Sequence, residues 1–200
     1  MNPKIWMLAW LAATISITAA AQEYTLHSPD GKTAIRISVR DSVQYSVLYN
    51  GQTLLQPATV NVTLSGSGQG GWKVAGTKKT TVSQLLHPVV RQKFAAIPDH
   101  YEQLQINFKN HSALQWRAYN NGIAWRWLIN AKGSYQVLNE EAGFALHTKD
   151  SAWYPVEESF FAHNDRLYKH LAVEDIGEKK SVASLPALFD ADGIKLLITE

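Results

Sequence analysis

Hydrophobic and polar positions alternate with a period of two along much of the chain. In residues 33–40 (TAIRISVR), Ile35, Ile37 and Val39 fall on one side and Arg36, Ser38 and Arg40 on the other. Successive side chains of a strand point to opposite faces, so this stretch predicts a half-buried β-strand. Residues 44–49 and 52–55 flank Asn50-Gly51. That dipeptide tolerates the positive φ angles of a type I′ turn and predicts a hairpin. Residues 59–64 predict a further strand with Val60, Val62 and Leu64 on one face. Residues 65–71 (SGSGQGG) read as a flexible loop. Residues 101–108 alternate again, with Leu104, Ile106 and Phe108 in register.

The clearest local signal lies in residues 113–130. Leu114, Trp116 and Ala118 alternate with polar neighbours, Asn121-Gly122 turns the chain, and Ile123, Trp125, Trp127 and Ile129 alternate after it. Two period-two runs about such a turn predict a hairpin, with Trp125 and Trp127 in the core. Shorter strands are expected at 135–138, 143–147 and 152–155. A last hairpin is expected from 187–189 and 194–199 about residues 190–193. Residues 158–171 read equally well as a helical turn or a loop. No long stretch has helical periodicity. Many short strands with regular turn signals predict an all-β fold, an antiparallel sandwich or barrel.

Composition narrows the function more than it defines it. The 200 residues hold no cysteine, which excludes disulfides, thiolate zinc sites and a cysteine nucleophile. Lys plus Arg is 19 and Asp plus Glu 17, a formal charge of +2. Nothing there argues for nucleic acid as a partner. Residues 1–4 form a short start that ends in a cation, Lys4, residues 5–19 are apolar, and Ala19-Ala20-Ala21 follows. This is the layout of a secretory signal, and the apolar run is short for a membrane span. The expectation is a cleaved signal at 1–21 and a mature chain at 22–200. That chain would be exported to a bacterial periplasm or the exterior, with no membrane association after cleavage.

Candidate chemistry is sparse. The motifs GxxxxGK[ST], GxSxG and HExxH are absent. His163 and Asp165 have the spacing of two ligands on one strand face, a pair that arises often by chance. Glu140-Glu141 and Glu157-Glu158 are adjacent carboxylates. Strand neighbours point apart, so neither doublet makes a glycosidase pair alone, and one member of each is expected in solvent. Trp153, beside Tyr154 and Pro155, is the tryptophan best placed to stack on a sugar ring.

The order of segments resembles the N-terminal domain of glycoside hydrolase family 97. The matching pieces are Ser28-Pro29-Asp30-Gly31-Lys32, Tyr45-Ser46-Val47 running into Asn50-Gly51-Gln52, and Tyr101-Glu102-Gln103-Leu104. After them come residues 117–126 (RAYNNGIAWR), close to the family's RAYNDGVAYRF hairpin. Glu140-Glu141 with Phe144, then Leu185-Pro186-Ala187 and Ile198-Thr199-Glu200, complete the order. The resemblance implies an antiparallel β-supersandwich of the galactose-mutarotase type, incomplete at its C-terminal end. It implies the non-catalytic N-terminal part of an exported enzyme acting on α-glucosides or α-galactosides. A (β/α)8 barrel would be the partner, an oligosaccharide the ligand, and the catalytic carboxylates would lie in that barrel. No catalytic residue is therefore expected here, and the chain alone is expected to be inactive. The family's calcium ion takes one ligand from an ITE segment, which implies Glu200 as a calcium ligand only when the barrel is present. Two rival readings stay open: a stand-alone periplasmic carbohydrate-binding module using Trp153, or a structural β protein.

Overall fold

The computed structural model describes residues 21–65, 72–90, 93–130, 133–161, 165–176 and 182–199. The chain first lays down β1 (Gln22–His27), β2 (Thr33–Val39), β3 (Val43–Tyr49) and β4 (Gln52–Leu64) as antiparallel neighbours. A second antiparallel sheet follows in chain order: β5 (Val74–Leu86), β6 (Ile97–Phe108), β7 (Ser112–Tyr119) and β8 (Gly122–Ile129). Next, β9 (Val137–Ala142) returns to the first sheet and pairs with β4. The third sheet comes from β10 (Ser151–Glu157), β11 (Tyr168–Ala172), β12 (Val182–Ala183), β13 (Ala187–Ala191) and β14 (Ile194–Ile198). Its order is β11-β10-β13-β14, with β12 on the end of β10. A single 3-10 turn, Val173–Ile176, interrupts it. The all-β antiparallel architecture expected from the alternation is what the structure shows.

The first and second sheets pack face to face. Ile35, Ile37, Val43, Tyr45 and Val60 from one meet Leu104, Ile106, Leu114 and Trp116 from the other, all buried. Each large side chain so removed from water contributes about 1.5–3 kcal/mol. Trp125 and Trp127 lie half-buried against this core, as their shared face with Ile123 and Ile129 predicts. A smaller cluster under the third sheet holds Ala152, Tyr154, Ala187, Phe189 and Ile198. Leu146 and Leu196 touch both clusters and tie the third sheet to the sandwich.

Several expected elements differ. Residues 52–55 and 59–64 are one strand, β4, and its register against β3 shifts between Tyr45 and Leu48. The irregularity accommodates Pro57, which has no N–H for a regular ladder. Residues 143–147 form no strand: Ala145 makes only a bridge to Gln56, and the strand lies earlier, at β9. Every residue of β9 is exposed, so burial never imprinted an alternation on it. Strand β5 carries no sequence signal for the same reason, since none of its 13 residues is buried. The described residues of 158–171 hold no helical turn; the stretch includes most of β11, and the helical turn comes just beyond.

The two hairpin turns also differ from one another. Asn50 and Gly51 have φ of 48° and 83°, as a type I′ turn requires. In the β7–β8 hairpin Tyr119 pairs with Gly122, so Asn120-Asn121 forms the turn, and neither they nor Gly122 adopts positive φ. Asn120 Oδ1 accepts the backbone N–H of Asp30 at 3.0 Å, which docks the β1–β2 loop on this turn. The signal segment and the glycine-rich run 66–71 lie outside the described residues.

Candidate functional site

Three places on the third sheet and its borders concentrate polar chemistry. The first is the sheet's outer face. Inward-pointing Ala152 and Tyr154 put Trp153 on that face, half-buried. Trp153 pairs in register with His170 of β11. The two rings stack with centroids 4.0 Å apart and an interplanar angle of 3°. The Lys195 ammonium lies 5.2 Å from the Trp153 ring centroid. Lys195 in turn bonds Asp190, its cross-strand partner. That bond, with help from the Gly193 N–H, holds the Asp190 carboxyl below the usual carboxylate range; the charges of Lys195 and His170 add to it. Trp153 is thus half-buried on that face, its ring flanked by an imidazole and a cation.

The second place is the far end of β10. Here the Glu157 side chain is 3% exposed. Ser184 Oγ donates to its Oε1 at 2.9 Å, and Arg166 Nε lies 3.4 Å from its Oε2. The same guanidinium reaches the exposed Glu158 at 3.4 Å. One member of this doublet is in solvent, as expected, and the other is buried and paired. The Glu140-Glu141 doublet lies wholly exposed on β9. Arg166 engages both carboxylates of the first doublet, so they are arranged as an ion-pair cluster and not as an acid and a base across a substrate.

A cleft of about 740 Å³ is the third place, where the β3–β4 hairpin meets the turn before β10 and the β13–β14 turn. Gln52, Gln56, His147, Lys149, Asp150 and Asp192 contribute to its wall. Gln56 and His147 are joined at 2.7 Å, and Asp150 accepts the His147 backbone N–H at 3.1 Å. Much of its hydrogen-bonding capacity is spent on holding its own turns.

Glu200 and His163 lie outside the described residues, and Asp165 is exposed. Among the described residues, no three His, Asp or Glu side chains come together to hold a metal. A calcium ion takes six to eight oxygens, so these residues alone do not fit a calcium site. Sequence reasoning missed His170, Arg166 and Ser184. Each meets its partner through strand pairing or loop closure between residues 9 to 27 positions apart, and no local spacing encodes that.

Comparison with known proteins decides the family. The glycosyl-hydrolase 97 N-terminal profile matches residues 26–200. The chain belongs to this family. Two curated relatives agree. A retaining alpha-galactosidase of Bacteroides thetaiotaomicron is 28% identical over all of this chain and 32% of its own length. A probable retaining alpha-galactosidase of Streptomyces bingchenggensis is 22% identical over 96% of this chain and 31% of its own. The family 97 N-terminal domain therefore spans about a third of the length of the curated relatives it matches.

Solved structures share the fold. A family 97 enzyme from Pseudoalteromonas sp. strain K8, in complex with acarbose, superposes with a TM-score of 0.72 at 14% identity. The match covers 84% of this chain and 27% of that one. A beta-arabinopyranosidase superposes with the same TM-score at 18% identity, over 85% of this chain and 30% of that one. No helix among the described residues of this family 97 domain is long and apolar enough to cross a membrane.

Proposed function

We propose that the chain is the non-catalytic N-terminal domain of an exported family 97 glycoside hydrolase acting on α-galactosides or α-glucosides. It packs against a (β/α)8 barrel and completes the rim of the sugar pocket. The observation that carries this reading is the profile match across residues 26–200, joined to relatives named as alpha-galactosidases of which the chain spans a third. The geometry agrees with a supporting role, because the buried Glu157 is tied up with Arg166 and Ser184. Export rests on the signal-like segment 1–21. Glu200 would offer a calcium ion one or two oxygens, with the others coming from the barrel. Trp153, with His170 stacked on it, is the platform this reading assigns to a sugar ring at the rim.

Purified chain is expected to give no turnover of nitrophenyl α-galactoside or α-glucoside above buffer, and robust turnover would overturn the non-catalytic reading. The half-buried Trp153 on the outer face of the third sheet favours one second reading, a stand-alone carbohydrate-binding module. Saturable binding of an oligosaccharide by the isolated chain, abolished in Trp153→Ala, would establish that reading instead.

A further inference from the structure

The second sheet ends in an arm that no residue of the described chain covers. Beyond Val82 no residue of β5 is even half-buried. At the arm's tip Leu85, Leu86, Val89, Val90 and Phe94 are 61, 44, 102, 73 and 61% exposed. Hairpin tips favour Gly, Asn, Asp and Ser because those residues suit tight turns and water. Single exposed apolar residues are ordinary, but five large ones at one tip mark an interaction surface. The charges around them are one-sided as well. Between Asp41 and Asp99 the sequence has no Asp or Glu and five Lys or Arg, among them Lys78 and Lys93 on the arm. Just below, Asp99 is buried and Glu102 half-buried, the latter accepting a bond from Thr81.

We infer that this β5–β6 arm is the element on which the catalytic portion of the enzyme seats, its apolar tip in an apolar recess and partner carboxylates opposite Lys78 and Lys93. The inference deepens the function proposed above and rests on it. Three observations select this occupant. The curated relatives carry roughly two-thirds of their length outside the matched region, so a folded partner of sufficient size belongs to the same enzyme. On this arm Asp99 is buried and Glu102 is bonded by Thr81, so the exposed charge is mainly that of the lysines, which repels a second copy and favours a surface bearing carboxylates. The exposed surface also runs along most of β5, a strand about 44 Å long at about 3.4 Å per residue. A folded domain covers such a length, whereas a bilayer would take only the tip.

The test uses the full chain, tagged and co-expressed with the segment of the Bacteroides thetaiotaomicron relative that lies beyond its matched third. Co-purification and sedimentation velocity report the complex. Wild type is expected to bind, and to bind several-fold more weakly when salt rises from about 50 to about 500 mM. The triple variant Leu86→Ser, Val90→Ser, Phe94→Ser should lose at least tenfold in affinity. Leu197→Ser, on the exposed outer face of the third sheet, should leave it unchanged. All four positions are exposed, so circular dichroism should show unaltered folding. If the triple variant unfolds, Lys78→Glu with Lys93→Glu replaces it, with the same expected loss. A folded arm variant that binds like wild type overturns the inference and leaves the proposed function standing. So does loss of binding in Leu197→Ser alone, which would assign docking to the third sheet. Absence of any complex with wild type overturns the proposed function itself. Tip-dependent self-association, or tip-dependent flotation with 3:1 phosphatidylcholine–phosphatidylglycerol vesicles, overturns it in favour of a second copy or a lipid surface.

Discussion

Tyr45 shows how one side chain joins layers of the molecule. Its ring packs on Trp116 and Trp125 at 5.1 and 5.3 Å, and its hydroxyl donates to the Gly143 carbonyl at 2.8 Å. Burial raises the phenol's pKa well above the usual tyrosine value, because a phenolate in that setting is poorly solvated. A raised folded-state pKa stabilises the fold fully below the unfolded value near 10, and that contribution is lost as pH climbs above it. Tyr45→Phe is expected to cost about 1 kcal/mol at neutral pH through the orphaned carbonyl. It should also flatten the fall of the melting temperature above about pH 10, measurable by calorimetry across that range.

The carboxylates behave in the opposite sense. Asp30 is held below its ordinary range chiefly by the Ser28 hydroxyl, with the Lys32 backbone N–H adding to it. Asp190 is held down chiefly by Lys195. Depressed groups contribute stability above the unfolded value of 3.8 and lose it as pH falls through the lower folded one. The melting temperature should therefore drop below about pH 4, and less steeply in Asp30→Asn with Asp190→Asn. An equally steep drop in that double variant would remove both groups from the account. That Trp125 and Trp127 pack on the core was legible from alternation alone. The His170 stack was not, because register between β10 and β11 depends on how the intervening loop closes.

At the scale of elements, burial decides what can be read from sequence. Strands β2 and β3 present one face to the core, and their alternation is plain. Strands β5 and β9 have no fully buried residue and are held mainly by backbone ladders, so burial imposes little period on their composition. The end of β9 depends on one small residue. A Cβ on Gly143 would lie 2.9 Å from the Thr59 carbonyl oxygen and 3.2 Å from its nitrogen, both backbone atoms. The Gly143 N–H itself bonds that oxygen at 2.8 Å. Gly143→Ala must therefore push the chain off β4, and a loss of about 1–3 kcal/mol is expected in urea unfolding. A change below about 0.5 kcal/mol would show that the contact is slack.

On the scale of the whole molecule, the two clusters differ greatly in size. The buried residues of the sandwich core come from six strands of two sheets, while the third sheet rests on five buried residues and the bridging Leu146 and Leu196. Local opening follows the sparser packing. Amides of β10, β13 and β14 are expected to exchange hydrogen faster than those of β2, β3, β6 and β7. Equal protection throughout would mean that the sheets open as one unit. Family membership was legible because the ordered turns and hairpins span most of the chain.

The placement of the tryptophans gives the molecule two optical reporters. Trp72 and Trp127 stack at 4.7 Å, and Trp116 and Trp125 lie 5.5 Å apart, all against the sandwich core. Trp153 stands apart from them on the third sheet, under His170. The paired indoles should dominate the near-ultraviolet circular dichroism, a signal that disappears when fixed side-chain packing is lost. Trp153 emission, isolated as the difference between wild type and Trp153→Phe, should respond first to mild denaturant. The order in which the sheets come apart is then readable from native fluorescence, with no label attached.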